Sequence, residues 1–242
     1  MKIKKWIWLP VVAMVVLSCT KIKTPEAVAE RENWYASFGD SIKFYENLSN
    51  QIENNIKNQE TKISDILKDF EMVKKPREVS GYYIMKGWSS RLPFRTTAIY
   101  ARINENENLE LIATLGGNTF NRINVGDAYS EVVKHDQALN YRHETFNTVY
   151  FTGGKADTIA RYICNHRTDA LKLNFLEGDK RKSQFNIPEN EKDMISKTWE
   201  LYSAQLEIKK LQKEFTLCAG KIATFRRLKD DHQMQKDTTS KK

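Results

Sequence analysis

Between Ile42 and Val73 the chain contains neither glycine nor proline, and its apolar residues return at intervals of three and four. With Ile42 at heptad position a, the a and d positions are Ile42, Tyr45, Ser49, Ile52, Ile56, Gln59, Ile63, Ile66, Phe70 and Val73, and eight of these ten are apolar. So narrow a stripe among Asn, Lys and Glu suits a seam between two helices. The pattern predicts a helix over residues 41–75, with Asp40 or Ser41 as N-cap after Gly39 and residues 19–40 as a linker before it. Near the other end, Leu201, Ala204, Ile208, Leu211, Phe215, Cys218, Ile222 and Phe225 fill eight successive a and d positions. This second helix is placed at 188–230, where Pro188, Glu189 and Glu191 suit a first turn, and residues 231–242 are left as a disordered basic tail. The two stripes would most simply cover each other as an antiparallel pair. Heptads do not specify whether the partner helix lies in the same chain, so a homo-oligomer through these helices is the alternative.

Pro76 and Pro188 fence off the middle, residues 76–187, and only there does the period change from 3.6 to 2. Ile99, Ala101 and Ile103 alternate with their neighbours, and Leu109, Leu111 and Ala113 answer across a turn from Asn104 to Asn108, which predicts a hairpin. Further strands are expected at Tyr82 to Met85, Phe120 to Val125, Val149 to Phe151 and Leu171 to Phe175, with a short helix from Lys155 to Asn165. The expected fold class is therefore α+β: an antiparallel coiled-coil stalk with an inserted β-sandwich-like domain carrying one short helix. A domain of this size can bury its own core.

Met1 to Cys19 begins with Lys2, Lys4 and Lys5, continues as an apolar run from Trp6 to Leu17, and closes on Ser18 and Cys19. The run is too short for a bilayer core of about 30 Å, so residues 1–18 read as an export signal. Its end, Val16-Leu17-Ser18-Cys19, resembles the lipobox of bacterial lipoproteins, which implies lipidation of Cys19 and a membrane held through acyl chains. Thr20-Lys21-Ile22-Lys23 carries neither an aspartate after the cysteine nor an acidic cluster. By resemblance to Gram-negative lipoproteins this implies an outer-membrane lipoprotein facing the periplasm, without the acidic export tag of Bacteroidota surface lipoproteins. The order of strands and helix in the middle, from Tyr100 through Leu139-Asn140-Tyr141-Arg142 to Leu171-Lys172-Leu173, resembles the small β-domains of lipoproteins associated with type VI secretion. That resemblance implies a β-sandwich and carries no site residue. A stalk followed by a head is also similar to the periplasmic adaptors of efflux pumps, but their lipoyl half-motifs are not evident.

The formal net charge of +8 includes three lysines of the signal, leaving +5 for the mature chain. In an exported protein this favours anionic lipid or an acidic envelope partner over nucleic acid, for which no stacking platform or basic stripe is present. The lysine-rich end, Lys236 to Lys242, would meet anionic headgroups if the helices are antiparallel. With 40% apolar and 29% charged residues, the composition excludes a multi-span membrane protein and a wholly disordered chain.

Enzymatic chemistry has few candidates. Phe38-Gly39-Asp40-Ser41-Ile42 is similar to the first block of GDSL-type hydrolases, which would make Ser41 a nucleophile. Such a serine follows a buried strand and meets a histidine held by an acid, whereas here Asn33 to Ser37 is no apolar strand and Asp230-Asp231-His232 lacks the required spacing. Ser41 therefore reads as a helix cap. Cys164 and His166 stand too close in sequence to face each other by default, and Cys164 and Cys218 read as two free thiols. His135-Asp136 and His143-Glu144 lack ligand spacing, so no metal and no cofactor is expected. What remains is surface: Gly87 to Arg95 places Trp88, Arg91, Phe94 and Arg95 in a loop, residue types that anchor interfaces or close a core. The sequence thus points to a non-enzymatic, membrane-anchored scaffold or adaptor that presents a β head to an envelope protein partner, with small-ligand or glycan binding as the alternative.

Overall fold

The computed structural model describes residues 25–74, 81–91, 96–134, 141–142 and 146–240, with no account of the side chains of 25–36, 141–142 and 235–240. Among the described residues the chain is α+β, with three α-helices and two antiparallel sheets. The elements run α1 (Pro25–Leu67), β1 (Phe70–Val73), β2 (Tyr82–Met85), a 3-10 turn (Ser89–Arg91), β3 (Ala98–Asn104), β4 (Leu109–Gly116), β5 (Arg122–Val125), β6 (Ala128–Tyr129), β7 (Tyr141–Arg142), β8 (Phe146–Thr152), α2 (Gly154–Asn165), β9 (Lys172–Glu177), β10 (Lys180–Asn186) and α3 (Glu189–Ser240). One sheet has the order β1-β2-β3-β4-β8-β7 and the other β10-β9-β5-β6. The chain divides into two compact units, Asn47–Ala219 and a smaller one of Met1–Glu46 with Gly220–Lys242.

In the larger unit the expected hairpin is present, with Ala101 opposite Leu111 and Ile103 opposite Leu109. Its turn is held by Asn104, whose side-chain oxygen accepts the amides of Asn106 and Asn108, each at 3.0 Å. Glu107, at φ 56, completes it in the left-handed region. Helix α2 buries Ala156, Ile159, Ala160 and Ile163, the i, i+3, i+4, i+7 face of an amphipathic helix. Below it, Gly126 sits at φ +55 with Tyr162 so close that a Cβ would fall 2.3 Å from its ring, so only glycine fits this turn between β5 and β6. The core joins both sheets and both neighbouring helices. Phe120 meets Phe151 of β8 and Phe175 of β9 at ring distances of 6.4 and 4.9 Å, and Met194, Ile195, Leu201 and Tyr202 of α3 belong to the same buried cluster.

Several boundaries differ from expectation. Helix α1 begins at Pro25, so residues 25–40 are helical where a linker was expected, and neither Asp40 nor Ser41 is an N-cap. A Cβ on Gly39 would meet nothing, and the Ser41 hydroxyl returns to the Ser37 carbonyl at 2.9 Å, as a serine within a helix does. At the other end α1 stops at Leu67, not at 75. Phe70 and Val73 satisfy a heptad, yet they form β1, because pairing with β2 buries Phe70 in the core. Helix α3 continues through residues 231–240, where a disordered tail was expected.

The joint between α3 and the larger sheet is specific. Strand β2 pairs with β3 at Tyr82 with Asn104 and Tyr83 with Ile103, and among the described residues the first half of β3 has no strand on that side. Two α3 side chains take the place of one: a Glu191 carboxylate oxygen accepts the Ile99 amide at 3.0 Å, and Met194 Sδ accepts the Ala101 amide at 3.3 Å. Next to them Lys192, 1% exposed, donates to the Asp169 carbonyl at 2.7 Å and pairs with Glu189. In the smaller unit, Phe225 lies 5.8 Å from Phe38 and 6.0 Å from Tyr45 by ring centroid, and Arg226 pairs with Glu46 at 2.7 Å.

Glu191 is 8% exposed. Burial raises its carboxyl from 4.5 to about 7, against the opposing pull of the Ile99 amide and the charge of Arg91. A raised acid holds its proton in the folded chain while the unfolded chain has lost it, so stability is fullest below the unfolded value and falls as pH rises from 4.5 to about 7. The fall attributable to this group is up to about 3 kcal/mol. Glu191→Gln keeps the acceptor and removes the charge. Denaturant midpoints at pH 5 and pH 8 should lie closer together than in the parent, with the variant the more stable at pH 8; an unchanged gap would refute this role.

Candidate interaction surface

The residues singled out in the loop after β2 separate on inspection. Trp88 is 6% exposed and belongs to the buried cluster, so it is a core side chain and not an exposed anchor. Its position follows from local bonding: the Trp88 amide donates to the Met85 carbonyl at 3.1 Å and its carbonyl receives the Arg91 amide at 3.0 Å, folding the loop back over the sheet. Arg91 is exposed, but its guanidinium lies 4.7 Å from the Trp88 ring and its charge reaches Glu191. Ser89 donates to Glu71 of β1 at 2.7 Å. Phe94 and Arg95 lie outside the described residues, as do Cys19, His135, Asp136, His143 and Glu144.

The remaining candidates are occupied by structure. Burial and the charge of Glu200 raise the Cys164 thiol, the opposite of what activates a nucleophile, while the charge of Arg167 pulls the other way. His166 stacks on Tyr162 at 4.4 Å and places Nδ1 2.9 Å from Asp169, in the turn that follows α2. Cys164 and Cys218 are both free thiols. Asp157 in the first turn of α2 is raised by burial and accepts the Tyr202 hydroxyl at 3.2 Å, and burial pushes that phenol up to about 12. Among the described residues, no group of three or more His, Cys, Asp or Glu side chains is placed to hold a metal ion.

Two polar clusters emerge that the sequence did not single out. On the six-stranded sheet Arg102 donates to Glu110 at 2.6 Å while its guanidinium lies 4.2 Å from the Tyr82 ring and 5.3 Å from that of Tyr150. Asn104 gives Glu110 a second donor at 2.9 Å. The side chains of Arg102 and Glu110 are only 16% and 11% exposed, and burial raises the nearby Tyr100 phenol strongly, so this cluster sits within the fold. On the four-stranded sheet a second row runs from the buried Asn124 through the half-buried Asn174 to the exposed Gln184. Gln184 donates to Asn174 at 2.9 Å, Asn174 to Asn124 at 2.7 Å, and Asn124 to the Gly126 carbonyl at 2.6 Å. Tyr129 stands 44% exposed beside them, with the Arg122 guanidinium 4.8 Å from its ring. Alternation of Lys172 and Asn174 with buried Leu173 and Phe175 is the sequence signal that could have disclosed this face.

Removing a buried indole from a packed core costs about 3–5 kcal/mol, so Trp88→Ala should lower the melting temperature markedly. Arg91→Ala, which forfeits an exposed stacking contact, should cost about 1 kcal/mol or less. Thermal unfolding of both variants checks this, and a Trp88→Ala protein with parental stability would return Trp88 to the surface. No protein-family model, curated protein or solved structure matches this chain.

Proposed function

We propose that this protein is a lipid-anchored scaffold of the bacterial envelope, attached at Cys19 and presenting a β-sandwich-like head to a protein partner. The observation that carries the reading is the short apolar run after three lysines that closes on Val16-Leu17-Ser18-Cys19. Cys19 lies only a few residues before Pro25, where α1 begins, so helix follows the tether almost at once. Among the described residues no helix is long and apolar enough to cross a membrane, and in this reading attachment falls to the acyl chains. The parts of α1 and α3 outside the larger unit, Pro25 to Glu46 and Gly220 to Ser240, act as the spacer, and the aromatic contacts of Phe225 with Phe38 and Tyr45 support their pairing as a stalk. The side chains that would carry catalysis in the competing hydrolase reading have other engagements, Ser41 with the Ser37 carbonyl above all.

Metabolic labelling with an alkyne fatty acid tests the anchor. The parent protein should take up label and sediment with membranes as a processed form, whereas Cys19→Ala should take up no label. A parent protein that incorporates no label sinks the reading. Cross-linking in intact cells should then recover an envelope protein with the parent and lose it with Cys19→Ala.

A further inference from the structure

Along β5 and β9 Ile123, Val125, Leu173 and Phe175, which lie in the buried cluster, alternate with Arg122, Asn124, Asn174 and Leu176, which share the other face of the sheet. On that face Leu176 and Asn124 are themselves buried, and the exposed side chains lie on the flanking strands. Register carries this face across all four strands. Gln184, Asn174, Asn124 and Tyr129 stand opposite one another in a single row, with Arg181, Leu176 and Arg122 forming the row on one side and Asn186 with Lys172 the row on the other. Asn124 is 6% exposed and bonded on both sides, so it fixes Asn174 and, through it, Gln184. Gln184, Arg181, Lys172 and Tyr129 are exposed.

A line of oriented carboxamides, ended by an exposed aromatic ring and bordered by cations, matches the chemistry of a carbohydrate. Amides both donate to and accept from hydroxyls, and a tyrosine offers an apolar face to sugar C–H groups beside a polar tip. Guanidinium and ammonium groups pair with carboxylates. Charge selects the kind of carbohydrate: Arg181, between Lys180 and Lys182 in sequence, borders the row on one side and Lys172 on the other, while the adjacent Asp179 is already paired with Arg122 at 2.8 Å. Addition of a peptide strand to the β10 edge is opposed by the irregularity between Arg181 and Ser183 and by the lysines, both of which discourage edge pairing.

We infer that the outward face of the four-stranded sheet binds an acidic polysaccharide, its sugars lying along the row from Gln184 to Tyr129 and its carboxylates meeting Arg181 and Lys172. This goes beyond the scaffold reading and does not depend on the lipid, since the face belongs to the larger unit and is assayed in solution. Full-length protein in non-ionic detergent is titrated with polygalacturonate, with neutral dextran and polyglutamate as controls. Saturable binding is expected for polygalacturonate at an affinity about tenfold or more above that for polyglutamate, with none for dextran. Tyr129→Ala and Gln184→Ala should each weaken it about fivefold or more at unchanged melting temperature, and Arg181→Glu combined with Lys172→Glu should abolish it. Equal binding of both polyanions, insensitive to Tyr129→Ala, would overturn the inference in favour of an acidic protein surface, and so would the absence of saturable binding to polygalacturonate.

Discussion

The larger unit depends on how two backbone amides of β3 are satisfied. Strand β2 leaves β3 after pairing at Tyr82 and Tyr83, and the amides of Ile99 and Ala101 then point out of the sheet into buried surroundings. A buried donor without a partner costs about 1–3 kcal/mol. Glu191 and Met194 remove that penalty from the first turns of α3, and Ile195, Leu201 and Tyr202 follow them into the same core. The strand-rich segment between Pro76 and Pro188 is therefore not self-sufficient. Part of its edge and part of its core come from a helix whose heptad pattern alone would assign it to a stalk.

The elements legible in sequence are those settled within a few residues. The β3–β4 hairpin alternates cleanly on both sides of an Asn104 turn, and α2 repeats its apolar residues at helical spacing. What escaped was settled at long range. Phe70 and Val73 fit a helical stripe as well as a strand, and only the distant partner Tyr82 to Met85 decides between them. Strand β10, Lys-Arg-Lys-Ser-Gln-Phe-Asn, has almost no apolar alternation because it is an edge strand that faces water, so its membership of the sheet is written in β9 and not in itself. Trp88 carried no local signal separating core from surface: a loop tryptophan between Gly87 and two serines reads alike in either setting until the loop folds back on the Met85 carbonyl.

The smaller unit is held by different means. Phe225 meets Phe38 and Tyr45, Phe44 lies edge-on to Tyr45, and Glu46 pairs with Arg226 at the surface. Aromatic pairs contribute about 0.5–1.5 kcal/mol each beyond burial, and exposed ion pairs about 1 kcal/mol at most. Among its described side chains Phe38 is the buried apolar one, while Phe44 remains 61% exposed. Its segments are the ends of the long helices α1 and α3, and extending a helix already formed is easier than nucleating a short one in water. Gly220 fits the same picture: with open space around it, it costs propensity without relieving any clash.

The contrast between the two polar clusters shows why one of them suits a ligand. Arg102 and Glu110 neutralise each other between tyrosines, and opening that pair to a ligand would strand a buried charge. The amide row on the four-stranded sheet is arranged the other way. Asn124 spends its hydrogen bonds beneath the surface to hold Asn174, and Asn174 holds Gln184, so the outer amides are oriented before anything arrives. Ordering a rotamer-rich side chain on binding costs about 0.5–1.5 kcal/mol, and a row already ordered from below is spared much of it. The same face carries the exposed Lys172 and Arg181 at its borders, where a polyanion can reach them without desolvating a buried pair.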